Sequence, residues 1–201
     1  MIVADLAHNG SVEQIVSTYT ADTLRPLPMR DDLLRVLPFL EKQFPTYESY
    51  ARATTAGLFT AQQLTDAHAE QRQAYTFATS LARNDGNGSF TLVPLPREAQ
   101  LAPVYGILAT DADRDGRLDL FLAGNFDGVK PEIGRMAASY GLFLRGDGRG
   151  GFTPVATEHS GFFVPGQARD IQRIRSSGGD VYIVARNNDR PLFFRLRTTR
   201  H

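Results

Sequence analysis

The stretch DADRDGRLD, residues 111–119, sets four aspartates around one glycine within nine positions, and its flanks decide the fold. Two carboxylates about 5 Å apart repel by roughly 3 kcal/mol at an effective dielectric near 20. Asp111, Asp113, Asp115 and Asp119 therefore converge stably only around something positive. In the pattern D-x-D-x-D-G-x-x-D, alternate side chains point inward, and Gly116 permits the tight turn that brings the ends together. Three carboxylates, the backbone carbonyl of Arg117 and the Asp119 carboxylate form an all-oxygen donor set, suited to Ca2+ rather than zinc or copper. An EF-hand needs a glutamate at the twelfth position and a helix on each side. Here that position is Leu122, and the flanks VYGILAT (104–110) and LDLFLAG (118–124) read as strands. The expectation is a cation that staples a β-hairpin; the competing reading is a metal-free turn rich in Asx contacts.

Outward from the loop, the chain repeats itself. NDGNGSFTLV (84–93) and GDGRGGFTPV (146–155) share Asp, Gly, Gly, Phe, Thr and Val at an offset of 62, and AGNFD (123–127) matches ARNND (185–189) at the same offset. One unit reads as SFTLVPLP, VYGILAT, LDLFLAGN and YGLFLRGD, the next as FFVPG, DIQRIRS, DVYIVARN and PLFFRLR. These are short apolar or alternating runs bounded by turn residues. About four strands per repeat is the pattern of a propeller blade. A third copy lies earlier: ADLAHNGSVEQIVSTYT (4–20) aligns with 110–126 at an offset of 106, pairing Asp5 with Asp111, Gly10 with Gly116 and Glu13 with Asp119. It offers a weaker site from Asp5, Asn9, the Ser11 carbonyl and Glu13, with Ala7 in place of one ligand. Around Asp170–Asp180 the ligands are gone.

The extra length between the first two copies changes character. PLPMRDDLLRVLPFLEKQF (26–44) has leucines at helical spacing, with Asp31 and Asp32 near its start and Pro38 placed to kink or split it. LFTAQQLTDAHAEQRQA (58–74) reads as a second helix, with a Thr60–Gln63 capping box and a Phe59–Leu64 staple. The expected architecture is mainly β: propeller-type four-stranded blades, about three of them, with a helical insertion. Residues 1–25 form a partial first blade, 26–73 the insertion and 74–201 two further blades.

Composition narrows the class. Basic and acidic residues are both 22, so no net field draws the chain to nucleic acid or a membrane surface. Residues 141–201 carry ten arginines against five acids, but most alternate with apolar residues, as in FFRLRT (193–198), which reads as the wet face of a strand. There is no cysteine, hence no disulfide framework, thiolate metal site or thiol nucleophile. No run is long and apolar enough for a membrane span, and MIVADLAHNG does not read as a signal peptide.

Together, DADRDGRLDL, AGNF and the GDGRGGF turn resemble the FG-GAP or VCBS repeats of integrin-type β-propellers. The longer run from LPREAQLAPVYGI (95–107) to YGLFLRGDGRGGF (140–152), with RDDLLRVLPFLEKQFPTYESYA (30–51), resembles the C-terminal part of bacterial VCBS-repeat proteins of the ASPIC/UnbV-associated group. That resemblance implies calcium-binding blades in secreted or periplasmic proteins, with Asp111, Asp113, Asp115 and Asp119 as metal ligands. Such rings have about seven blades against roughly three here. An open array leaves edge strands exposed, so a homodimer is expected to complete or cap it.

Catalytic signatures are missing: no G-x-S-x-G elbow, H-E-x-x-H or P-loop is present. His8, His68, His159 and His201 read as surface residues, with His8 and His159 conceivable as bases. Asp127, Glu132 and Arg135, in the polar connection GNFDGVKPEIGR (124–135), either order that turn or bind a ligand. The reading that results is a binding or adhesion module with structural calcium and a protein, glycan or small-molecule ligand. The alternative is a calcium-dependent hydrolase in which a metal with an open position polarises a phosphoryl or lactone oxygen.

Overall fold

Strand for strand, most of the turn-bounded runs become strands in a computed structural model that describes residues 1–131, 134–177 and 179–196. With 36% strand against 18% helix the chain is mainly β, arranged as several small antiparallel sheets. It divides into two compact units, Met1–Thr76 and Phe77–His201.

In the first unit, β1 (Ile2–Ala4) pairs antiparallel with β2 (Glu13–Ile15), and β3 (Ser17–Thr20) forms a hairpin with β4 (Thr23–Pro26). Helix α1 (Arg30–Val36) carries Asp31 and Asp32 in its first turn, where exposed amides favour negative charge. Pro38 splits the leucine-rich run, because its ring cannot join an ongoing helix. The chain passes Leu37 and restarts as a 3-10 turn, Pro38–Lys42. Capping boxes open α2 (Tyr47–Ala51), through Thr46 and Ser49, and α3 (Ala61–Asp66), through Thr60 and Gln63.

The helix expected over 58–74 is much shorter. It stops at Asp66, His68 turns the chain at φ 48°, and β5 (Glu70–Gln71) adds to the free edge of β1. Ladder hydrogen bonds to β1 replace those the helix would have made, so His68 sits in a turn rather than in a helix. The insertion thereby covers a strand edge with its own tail. Leu33, Leu37, Leu40, Leu58 and Phe59 share one core with Ile2, Ala4 and Ile15. The helical segment is thus packed onto the first strands.

In the second unit, β6 (Ser80–Gly86) and β7 (Ser89–Pro94) form a largely exposed hairpin. Four strands follow as a meander: β8 (Val104–Thr110), β9 (Asp119–Gly124), β10 (Leu142–Gly146) and β11 (Phe152–Val155). A short helix α4 (Thr157–Ser160) comes next, then β12 (Ala168–Ile174), β13 (Val181–Arg186) and β14 (Leu192–Arg195) in a three-stranded sheet. His159 therefore lies in that helix. FFVPG is not a strand; Phe162 and Val164 still bury in the core, from irregular backbone.

The 62-residue repeat survives as geometry. In the pair β8–β9, Val104 faces Gly124, a bulge follows, and Gly106 faces Ala123. In β12–β13, Ala168 faces Arg186, a bulge follows, and Asp170 faces Ala185. Bulges are specific local devices; these two match at an offset of 62 on β9 and β13 and of 64 on β8 and β12, and mark one supersecondary unit used twice. The two sheets share a core of Phe121, Phe143, Phe162, Ile171, Tyr182 and Val184. Gly106 is required where they approach: a Cβ there would fall 2.8 Å from Ile171 Cγ1 and 3.1 Å from the Asp170 backbone. On β14, Phe194 packs inward while Phe193 and Arg195 face solvent, the alternation that FFRLRT implied.

Candidate metal centre

Thr110 and Asp119 face each other across β8 and β9, so residues 111–118 form the hairpin loop. Asp111 organises it: Oδ1 accepts the Asp115 N–H at 3.1 Å and Oδ2 the Gly116 N–H at 3.0 Å. Asp115 Oδ1 in turn accepts the Arg117 N–H at 2.9 Å. Two left-handed residues, Arg114 at φ 63° and Gly116 at φ 85°, give the loop its curl. One carboxylate oxygen each from Asp111, Asp113 and Asp115 then lies within 4.8 Å of the others. Two guanidinium groups temper the repulsion: Arg145 Nε is 3.0 Å from Asp113 Oδ2, and Arg117 Nε is 3.9 Å from Asp115 Oδ2. This cluster of hard oxygens can hold a metal ion.

Asp119 is placed differently from the other three. It is fully buried, with Oδ2 accepting the Ala112 N–H at 3.0 Å and Oδ1 the Gly146 N–H at 2.9 Å. It closes the loop and ties it to the end of β10. Arg117 lies over the next turn, its Cγ 3.3 Å from where a Gly148 Cβ would sit.

The first-copy loop has the same wiring. Asp5 accepts the Asn9 and Gly10 N–H groups at 3.0 and 2.9 Å, and Asn9 Oδ1 accepts the Ser11 N–H at 2.8 Å. Glu13, buried like Asp119, accepts the Leu6 N–H at 2.7 Å and the Ala7 N–H at 3.3 Å. His8 at φ 52° and Gly10 at φ 83° reproduce the curl of Arg114 and Gly116. Two of the later loop's clustered carboxylates are replaced: Ala7 stands where it has Asp113, and the Asn9 amide stands where it has Asp115. A loop of this shape therefore forms without an acid at either position. In the later loop Asp113 adds a single backbone contact, 3.3 Å from the Asp115 N–H, for the cost of a third negative charge.

The glycine turns are also carboxylate-centred. Asp147 Oδ1 accepts the Arg149 and Gly151 N–H groups at 2.7 and 2.9 Å, which hold its pKa below the usual range. Asp85 bonds Thr91 Oγ1 and Arg83 Nε and is lowered by them. The Gly10 and Asn9 N–H groups lower Asp5 likewise. A depressed folded pKa contributes stability that is present above the unfolded value near 3.9 and lost as pH falls through the folded value. Stability is therefore expected to drop below about pH 4, and Asp147→Asn to flatten that acid limb; urea titrations at pH 2–7 check this, and identical slopes would refute it.

Asp127 and Arg135 are brought together, Arg135 Nη2 donating to Asp127 Oδ2 at 2.8 Å. Glu132 and His201 lie outside the described residues. The sequence reading missed Arg145, whose distance from Asp113 along the chain hides the pairing. It also missed Asn125, buried at φ 78°, for which the repeated AGNFD block was the available signal. Among the described residues no helix is long and apolar enough to cross a membrane. In comparisons with known proteins, no family model, no curated protein and no solved structure matches this chain.

Proposed function

We propose that this chain is a calcium-binding FG-GAP/VCBS propeller-type repeat module, a binding or adhesion element in which the ion is structural. The observation that carries the reading is the paired loop. The same hydrogen-bonded curl occurs with Ala7 and with Asp113, so the acid at 113 is not needed for backbone shape, and its exposed ion pair with Arg145 contributes little, which leaves its charge suited to a cation. The four-stranded β8–β11 meander and the matched bulges support blade-like units. Asp111, Asp113 and Asp115 would hold the ion, with the Arg117 carbonyl and Asp119 added by the family pattern. A bound cation neutralises the cluster and pins the β8–β9 hairpin. Secretion or a periplasmic location and a homodimer belong to the same proposal.

Titration calorimetry after chelation tests it. Calcium is expected to bind the whole chain, to bind more tightly than magnesium, and to stabilise it by about 2.7 kcal/mol at roughly 100 times Kd. Asp113→Ala is expected to abolish the heat while leaving the circular dichroism unchanged. Absence of calcium binding in the parent protein would end the proposal. Chelator-sensitive turnover of phosphotriesters, lactones or esters that vanishes in Asp113→Ala would replace binding by catalysis.

A further inference from the structure

The described parts of the connection between β9 and β10, residues 125–131 and 134–141, rest on more buried polarity than a turn requires. The Asn125 side-chain amide donates to the carbonyls of Ser139 at 2.6 Å and Gly166 at 2.8 Å, and its Oδ1 accepts the Ser139 N–H at 3.1 Å. Arg169 lies 4.5 Å over the Tyr105 ring and donates to the Asn125 carbonyl at 3.0 Å and to Gln167 Oε1 at 2.7 Å. Gln167 Oε1 also accepts the Asp127 N–H. Phe126 and Met136 exchange backbone hydrogen bonds across the connection. A satisfied network of this kind fixes side-chain positions. Above it opens a cavity of about 270 Å³ lined by Asn125, Asp127, Arg135, Ala137, Tyr140 and Gly166.

Asp127 is only half used. Its Oδ2 takes the Arg135 guanidinium, while its Oδ1 is buried without a hydrogen-bond partner. A buried carboxylate oxygen with no donor calls for an explanation. Arg135, 73% exposed, pairs only loosely with Oδ2, since an exposed ion pair contributes little and can open. Tyr140 is half-exposed yet held: its ring stacks on Phe163 at 5.3 Å, and its carbonyl accepts the Val164 N–H at 2.7 Å.

We propose that this cavity binds one pyranose unit of a glycan. Its volume lies just below the range of about 300–1,000 Å³ typical of drug-sized ligands, so one ring is the scale it accepts. A hydroxyl both donates and accepts, and Asp127 Oδ2 beside the Arg135 guanidinium presents an acceptor next to a donor, the match for two neighbouring hydroxyls, while the buried Oδ1 lies out of a ligand's reach. Tyr140 offers an apolar ring to the C–H face of the sugar. A phosphate would meet the Asp127 carboxylate, a cation would meet Arg135, and an apolar ligand would desolvate both. The inference deepens the binding-module reading by naming a ligand class, and it requires no metal.

The test is nitrogen–proton NMR on the full chain, with glucose, galactose, mannose, fucose, N-acetylglucosamine and glucuronate as probes, in calcium and in chelator. At least one sugar is expected to shift the amides of Asn125, Asp127 and Tyr140 in both buffers. Asp127→Asn and Tyr140→Ala are each expected to weaken it about tenfold or more, with the melting curve of Asp127→Asn unchanged. Asp113→Ala is expected to bind the sugar like the parent, which separates this inference from the metal proposal. No shift with any sugar, binding indifferent to both variants, loss of binding in Asp113→Ala, or inorganic phosphate shifting the same amides would each overturn it.

Discussion

Asp119→Ala is expected to cost the second unit about 3–5 kcal/mol, more than loss of any of the other three aspartates of its loop. The carboxylate is fully buried, and both oxygens are engaged by backbone N–H groups, of Ala112 and Gly146. Hydrogen bonds to a charged group contribute about 1.5–3 kcal/mol each, and a buried donor stripped of its acceptor costs about 1–3 kcal/mol. Alanine removes both acceptors at once and frees the loop from the end of β10. Asp119→Asn keeps one acceptor oxygen but turns an amide N–H toward the other donor, so roughly half the loss is expected. Urea unfolding at neutral pH measures both variants. A change under about 1 kcal/mol for alanine would show that the carboxylate does not close the loop.

Phe121→Ala is expected to be comparably damaging for a different reason. The Phe121 ring lies 4.7 Å from Phe143, 4.9 Å from Phe162 and 5.6 Å from Tyr182, so it joins the β8–β11 sheet to the β12–β14 sheet. Truncating a buried phenylalanine costs about 3–5 kcal/mol through lost transfer energy and the cavity left behind. Edge and tilted ring pairs add to that. In a domain of this size the loss corresponds to about 10–20 °C in melting temperature. Phe121→Leu, closer in volume, is expected to lose well under half as much. Thermal melts decide the magnitude; equal melting temperatures for alanine and leucine would mean that the cavity collapses freely and the rings do not hold the sheets together.

Much of the fold was legible because local signals were strong and agreed. Asp85/Asp147 and Phe90/Phe152 exposed the repeat, the strands around the aspartate loop excluded an EF-hand, and Pro38 marked where the helix had to break. The failures share a cause. Glu70–Gln71 became a strand because β1 had an open edge, and that edge is invisible in a helical-looking stretch. FFVPG kept its buried side chains without ladder partners. At the site, the spacing of Asp111, Asp113 and Asp115 was readable, since their convergence follows from a local curl. The burial of Asp119 and the pairing of Arg145 with Asp113 were not, because both depend on β10, which is remote in the chain.

The twin loops also bear on how such repeats diverge. A turn held by its first acid, its glycine and its closing acid leaves the third position open to substitution without endangering the chain. Acidic clusters on such turns can then be lost or regained one copy at a time, while the architecture that carries them is inherited intact.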